Sequence, residues 1–337
     1  MAIFRTRTHW VMLICFLVVL FIVPPLFFNR LWLNTFNSIG ITIIAALGLN
    51  ILVGYCGQLS IGHAGFIAVG AYTSAILTNH FHLPFLVGLI SAGIVSGLIG
   101  IIFGLPSVRV KGFYLAISTI AAQYIILWVI SHWGLTGGYN GMSVPYASIG
   151  GLEFDTPVKQ FYLVMVFVIL AVFFAKNLTR TKVGRAFIAI RDNDLAAEVM
   201  GVNTNYYKLL AFFIGCFFAG IAGSLLAHTT YTLSVEQFSF ADSFLYVGMI
   251  IIGGLGTTIG PLFGAAIFRI LQKVLLPVYL VPWLENTLTS FPAGFASGLA
   301  PMIFGLAIVL FLILEPRGLA HRWALFKAAY RLWPFSY

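Results

Sequence analysis

Two polar clusters interrupt an otherwise apolar chain, and both are made of hydrogen-bonding side chains. Residues 54–75 read GYCGQLSIGHAGFIAVGAYTSA, which sets Gln58, Ser60, His63, Tyr72, Thr73 and Ser74 among glycines. Residues 111–132 read KGFYLAISTIAAQYIILWVISH, with Tyr114 and Ser118 four apart, as are Thr119 and Gln123. On a helix each pair falls close together on one side. Neutral donors and acceptors of this kind suit a path for a polar solute. They do not suit acid–base work, because the first cluster holds no Asp or Glu and so offers no proton relay. His63 reads better as a histidine satisfied by a neighbouring carbonyl, and Gln58 and Ser60 read also as caps of the helix that follows.

Other chemistries lack their residues. No HExxH or GxSxG constellation occurs, and no GxxxxGK[ST] phosphate loop; the nearest glycine run, GGLGTTIG, has no lysine after it. Cys15, Cys56 and Cys216 are far apart in apolar stretches, so they read as small buried hydrophobes and give no metal site. A third cluster, GLTGGYNGM, carries Thr136, Gly137, Gly138, Asn140 and Gly141. Such a loop presents backbone N–H groups to an anionic group, or is a plain turn.

The elements that must hold these residues are membrane helices. Of 337 residues, 61% are hydrophobic and 8% charged, against roughly a quarter charged in soluble domains. Runs of about 18 or more apolar residues recur, each long enough to cross a bilayer. The expected fold is therefore an all-α polytopic membrane protein of about ten spans. They lie near 10–28, 36–53, 61–79, 84–104, 113–131, 158–175, 209–228, 242–256, 260–276 and 299–314. The third is polar and the eighth and ninth short, so these are expected as broken or re-entrant helices shielded by protein. The N-terminal run ends in Pro24-Pro25 with no cleavage site, and reads as a retained first helix. The whole of 1–337 is expected to form one transmembrane domain. Glycines four apart, Gly93 and Gly97, Gly100 and Gly104, Gly260 and Gly264, and Gly294 and Gly298, predict close helix packing, with Ser96 extending the second row.

Charge gives the orientation. With the N-terminus cytoplasmic, Arg5, Arg7, Arg109, Lys111, Lys176, Arg180, Lys182, Arg185, Arg191, Lys208, Arg317, Arg322, Lys327 and Arg331 fall inside. Arg30 and Lys159 fall outside, with Glu153, Asp155, Glu236, Asp242 and Glu285. Cytoplasmic loops carry such an excess of Lys and Arg, so both termini are expected inside. The net charge of +9 marks topology, and no nucleic-acid partner follows from it. Arg269 and Lys273, inside the ninth span, read best as side chains reaching the outer interface.

One sizeable polar region lies on the cytoplasmic side, at 176–208, and a basic tail at 315–337. The region divides into an amphipathic stretch, Val183 to Arg191, and a short helix, Leu195 to Met200, capped by Asp194 and ended by Gly201. It is a compact knob for the groove of a soluble partner, or an amphipathic loop lying on lipid.

Taken in order, GYCGQLSIGHAGFIAVGAYTSA, KGFYLAISTIAAQYIILWVISHWGLTGGYNGM, GRAFIAIRDNDLAAEVMGVNTNYYKLLAFFIGCFFAGIAGSLLA and LYVGMIIIGGLGTTIGPLFGAAI resemble one family. It is the permease subunits of bacterial ABC importers for branched-chain amino acids, from about Gly40 to Gly318. The TGGYNG loop and the extra N-terminal span resemble the M-type permease, not its shorter H-type companion. The resemblance implies a second permease subunit in a heterodimer, two cytoplasmic ATPase subunits and an extracytoplasmic solute-binding protein. ATP is then bound by the partners, and this chain carries no cofactor. By the same resemblance Arg185, Asp192, Ala196, Ala197, Glu198 and Gly201 would face the ATPase. Gln58, Ser60, His63, Tyr114, Ser118, Thr119 and Gln123 would lie in or near the translocation path, and the 136–141 loop on the outer side. Leucine, isoleucine and valine are the expected solutes in a bacterial inner membrane, with urea, short amides or other small organic solutes as the alternative. An ion-gradient secondary transporter would instead place acidic or histidine residues within its spans, and the nine acidic residues fall almost entirely in loops or at span ends. An intramembrane enzyme would need a paired constellation, and a structural anchor would leave the polar stripe and the knob unexplained.

Overall fold

The computed structural model describes residues 27–110, 112–280 and 318–332, with isolated residues elsewhere between 21 and 315. The first and tenth expected spans, the pair Gly294 and Gly298, and Arg5, Arg7, Lys111, Glu285 and Arg317 lie outside the described residues or on single residues among them. The rest is helical: α1 Arg30–Leu49, α2 His63–Asn79, α3 Phe85–Gly104, α4 Phe113–His132, α5 Pro157–Leu178, α6 Lys182–Asp192, α7 Asp194–Val199, α8 Thr204–Thr230, α9 Phe240–Gly253, α10 Gly260–Ile270 and α11 Leu319–Leu332. Among the described residues, strands are limited to two-residue pairings. β1 Met142–Ser143 lies antiparallel to β4 Thr232–Leu233, and β2 Ser148–Ile149 to β3 Leu152–Glu153.

Seven helical segments among the described residues are long and apolar enough to cross a membrane. They are Arg30–Tyr55, Phe85–Val108, Phe113–His132, Pro157–Leu178, Thr204–Thr230, Val235–Gly253 and Gly260–Tyr279. Two continue as π-helical turns, Asn50–Tyr55 after α1 and Leu271–Leu280 after α10. At 1.5 Å per residue a 20-residue helix spans about 30 Å, the hydrocarbon thickness.

α2 occupies the place of the expected polar third span, as one continuous helix and not a broken one, and it is not among the seven segments above. It has 17 residues, and most of them are buried. It is enclosed by α3, α4, α8 and α9, which explains its composition: a helix that meets protein on all sides needs no greasy surface. Most of its polar groups find partners instead: His63 Nε2, Ser74, Thr78 and Asn79 are hydrogen-bonded, whereas the buried Tyr72 hydroxyl has no partner among the described residues. The lipid-facing work falls to outer helices such as α3 and α4, where Ile90, Leu98, Ile102, Ile117, Ile125 and Trp128 are exposed.

Small residues set the helix spacing, as the sequence predicts. All four glycines of the α3 rows face α8: Gly93 lies against Phe217, Gly97 against Phe213, Gly100 against Cys216 and Gly104 against Phe212. Gly70 of α2 lies against the backbone of Gly220 in α8, and Gly264 of α10 against that of Met249 in α9. Ser96 Oγ bridges α3 to α2 by donating to the Phe66 carbonyl at 2.8 Å. These contacts make α8, a helix of 27 residues and roughly 40 Å, the central post of the bundle.

The two ends of the bundle differ in charge. One end gathers the α6–α7 hairpin, the 54–62 and 105–110 turns, the 254–259 turn and the start of α11. It holds Arg109, Lys176, Arg180, Lys182, Arg185, Arg191 and Lys208. The other end gathers 80–84, 133–156 and 231–239, with Arg30 at the first turn of α1 and Lys159 at that of α5.

Candidate functional site

The first site lies at the entry to α2. A helix begins with four unpaired N–H groups, and here the sequence leads to an expectation that the structure corrects. Neither Gln58 nor Ser60 caps α2: its N-cap is Gly62, with no side-chain cap bond. The caps come from other helices. Thr119 Oγ1 on α4 accepts from Ile61 N at 3.0 Å, and Ser243 Oγ on α9 accepts from Ala64 N at 2.9 Å. Ser243 in turn donates to Gln123 Oε1 at 2.8 Å, and Gln123 Nε2 donates to the Phe238 carbonyl at 3.0 Å. A chain of neutral hydrogen bonds thus ties α2, α4 and α9 together.

His63 is fully buried, and its Nε2 donates to the Ala45 carbonyl of α1 at 2.9 Å. That is the carbonyl-satisfied arrangement for Nε2, while the buried Nδ1 has no partner among the described residues, and Tyr246 lies edge-on to the ring at 6.0 Å. Gln58 is buried with Nε2 directed at the Cys56 carbonyl at 3.4 Å. Ser60 Oγ is buried without a protein partner among the described residues. The expected stripe on α4 divides in two. Thr119 and Gln123 face inward, Ser118 is half-buried, and Tyr114 is 73% exposed on the outer surface of the bundle. A second network further along α2 escaped the sequence reading: Ser224 donates to Ser74 Oγ at 2.8 Å, Ser74 pairs with His228 Nε2 at 3.1 Å, and His228 Nδ1 lies 2.9 Å from the Pro145 carbonyl. Only the side-chain types of Ser74, Ser224 and His228 could have signalled it.

At the opposite end from the hairpin, the Gly-rich loop is closed by its own backbone. Thr136 is buried, and its Oγ1 donates to the carbonyls of Ile130 and Trp133 at 2.5 and 2.6 Å. Gly137, Gly138 and Gly141 have φ of +76°, +57° and +76°, a region that side chains disfavour. Asn140 stands exposed at the tip. Pairing of Met142 with Leu233 pins the loop to the end of α8. Nearby, the Lys159 ammonium donates to Asp155 at 2.6 Å, and this bond holds the Asp155 carboxyl below its ordinary pKa.

The second site is the α6–α7 hairpin. Thr181 Oγ1 accepts from Gly184 N to start α6. α7 is capped by Asn193, whose Oδ1 accepts from Ala196 N at 3.0 Å, so Asp194 is not the cap that the sequence suggests. Asp194 is the first residue of α7, and its Oδ2 receives Lys208 Nζ of α8 at 3.3 Å. The Lys208 side chain is only 4% exposed. Gly201, at φ +85°, closes α7. Arg185, Asp192, Ala196, Glu198 and Gly201 stand on the surface, whereas Ala197 is turned inward and buried. The tip also exposes apolar groups: Val199 is 86% and Met200 83% exposed, with Leu195 beside them. No group of three or more His, Cys, Asp or Glu able to hold a metal occurs among the described residues.

A profile of the family described as branched-chain amino acid transport system / permease component matches residues 31–314. The high-affinity branched-chain amino acid transport system permease protein LivM of Salmonella typhimurium is 32% identical over 233 residues, 62% of this chain and 55% of its own length. The probable branched-chain amino acid transport permease protein LivM of Methanocaldococcus jannaschii is 28% identical over 245 residues, 69% of this chain and 67% of its own. An Enterobacter permease protein of an autoinducer 2 import system, LsrC, is 29% identical over 218 residues, 61% of this chain and 60% of its own. The chain thus spans little more than half the length of the Salmonella protein it matches. No solved structure matches.

Proposed function

The chain belongs to the branched-chain amino acid transport permease family, as a multi-pass membrane subunit without a catalytic step, and from that premise we propose that it forms half of the translocation path of an ATP-driven importer. Its solutes are leucine, isoleucine and valine, delivered by an extracytoplasmic binding protein. A second permease completes the path, and two ATPase subunits engage the α6–α7 hairpin from the cytoplasm of a bacterial cell. The membrane domain is a single unit of about ten spans with both termini inside, a coupling loop at 176–208 and a basic tail at 315–337. The segregation of Lys and Arg to the hairpin end supports this orientation.

The hairpin tip carries the proposal. Leu195, Val199 and Met200 expose apolar side chains to water at the most basic end of the protein, where a free surface of this kind favours a partner. Glu198 lies among them, so the surface fits a groove with an apolar floor and a basic rim. Lipid is a poorer occupant, because Asp192, Asp194 and Glu198 interrupt the basic face. The test is to change Glu198→Lys and Gly201→Val together in the co-expressed complex. Loss of the ATPase subunits from the purified permease, with uptake abolished, is expected. Retention of both would show that the ATPases bind elsewhere.

A further inference from the structure

One guanidinium joins the hairpin to the end of α1. Arg191, in the last turn of α6, donates from Nη1 to the Gly54 carbonyl at 3.0 Å. Its Nε and Nη2 donate to Asp192 Oδ1 at 3.0 and 2.9 Å, which holds the planar group in orientation. Gly54 belongs to the π-helical turn Asn50–Tyr55 at the end of α1. The three preceding carbonyls of that turn serve the chain itself: Ile51 accepts from Cys56, Leu52 from Gln58 and Val53 from Gly57. The next carbonyl is spent on Arg191.

The same turn is fastened to a third segment. Asn50 is 1% exposed, and both ends of its amide are used. Nδ2 donates to the Thr257 carbonyl at 2.8 Å, and Oδ1 accepts from Gly256 N at 2.9 Å. Tyr55 and Thr258 share a hydroxyl contact at 3.2 Å. Gly256 has φ +70°, and a Cβ there would stand 2.9 Å from Arg191 Nη1 and 2.9 Å from the Gly54 carbonyl oxygen. Gly57, also at φ +70°, lies against the Arg191 stem. Glycine at both positions lets three segments converge on the guanidinium. Beside it is a polar cavity of about 330 Å³ lined by Gly57, Gln58, Gly112, Asp192 and Lys208, among others, which gives the side chain room to move. π-turns are rare and cluster at functional places in helices.

We infer that Arg191 is the positioning residue that carries displacement of the hairpin into the membrane path. Moving α6 pulls on the Gly54 carbonyl. The π-turn moves with it, and so does the Gln58–His63 stretch that leads into α2. Through Asn50 the pull also reaches the turn between α9 and α10. The Lys208–Asp194 pair has a different task, since it holds α7 to α8. This inference rests on the importer reading, and the two are separable by experiment.

The complex is co-expressed with its second permease, ATPases and binding protein, and reconstituted in vesicles with labelled leucine as probe. Three quantities are measured for the wild type, Arg191→Ala and Arg191→Lys: ATPase retention on purification, ATP hydrolysis, and leucine taken up per ATP. Arg191→Ala is expected to retain the ATPases and continue hydrolysis while uptake per ATP falls at least 10-fold. Lysine, which offers one donor to the same carbonyl, is expected to recover part of the loss. Uptake per ATP in Arg191→Ala within 2-fold of wild type overturns the inference. So does loss of the ATPases from that variant, which would make Arg191 part of the docking face. A wild-type chain that retains no ATPase, or moves leucine without ATP, sinks the importer reading itself.

Discussion

Replacing Gly70 by alanine places a methyl group where α2 and α8 touch backbone to backbone. The new Cβ would stand 2.7 Å from the Gly220 carbonyl carbon, and closer still to its Cα and oxygen. Against the 3.4 Å of ordinary contact, that is a deficit of about 0.7 Å at the first atom and more at the other two. Side chains relieve such overlaps by turning, but here the neighbours are main chain, so the helices must part. Overpacking costs about 1–3 kcal/mol, and a backbone clash belongs at the upper end. Alanine returns about 1 kcal/mol of helix propensity relative to glycine, which leaves a net loss of about 2 kcal/mol. Separation also strains neighbouring approaches on the same post, because Gly223 of α8 lies against the Ile67 carbonyl and Gly220 against that of Ala92. The assay is an SDS unfolding titration of the purified protein followed by tryptophan fluorescence. Gly134→Ala is the control: its Cβ meets nothing within 4 Å, and a change within about 0.5 kcal/mol is expected. If Gly70→Ala is as stable as the control, close helix approach is not what holds this bundle together.

Further expectations follow from the polar contacts. Gln123→Leu strands the Phe238 carbonyl and leaves the Ser243 hydroxyl without its acceptor, which should cost about 1–3 kcal/mol in the same titration. In the Lys208–Asp194 pair the lysine is the more deeply buried partner, at 4% exposure against 22%. Asp194→Asn should therefore destabilise more, by about 3 kcal/mol, than Lys208→Met; the reverse order in paired titrations would contradict the assigned burial. Gly201→Val alone should cost about 1–2 kcal/mol through its φ of +85°. It has no neighbour to meet, so Gly201→Ala should cost a similar amount, and a much larger gap between the two would indicate contact instead of backbone strain.

Spans and small-residue rows were readable from the chain because both depend on local repetition. Apolar runs of membrane length mark α3, α5 and α8 directly, and glycines four apart on α3 mark one helical face. What failed was partner choice across distance. Ser60 precedes α2 as a cap would, yet the caps arrive from Thr119 and Ser243, at separations of 58 and 179 residues. Asn193 and Asp194 are both good N-cap types, and their order was decided by Lys208, which takes the Asp194 carboxylate. Tyr114 and Ser118 share a spacing with Thr119 and Gln123, but only the second pair meets α2. With a whole helix face apolar, spacing alone could not tell the side facing α2 from the side facing lipid. The π-turn at Asn50 carries no pattern of its own, and neither does the role of Arg191. Both become visible only when α6 and the 254–258 turn close upon Gly54.

The central claim is that this subunit is passive and is driven through its hairpin by partner ATPases. It is tested most directly by uptake of labelled leucine into vesicles holding the complete complex, the complex with hydrolysis-deficient ATPases, or this chain with its companion permease alone. Uptake that requires ATP, occurs only in the first preparation and disappears when the hairpin tip is altered is the predicted result. Equal uptake by the permeases alone, or uptake driven by an imposed ion gradient, would contradict it.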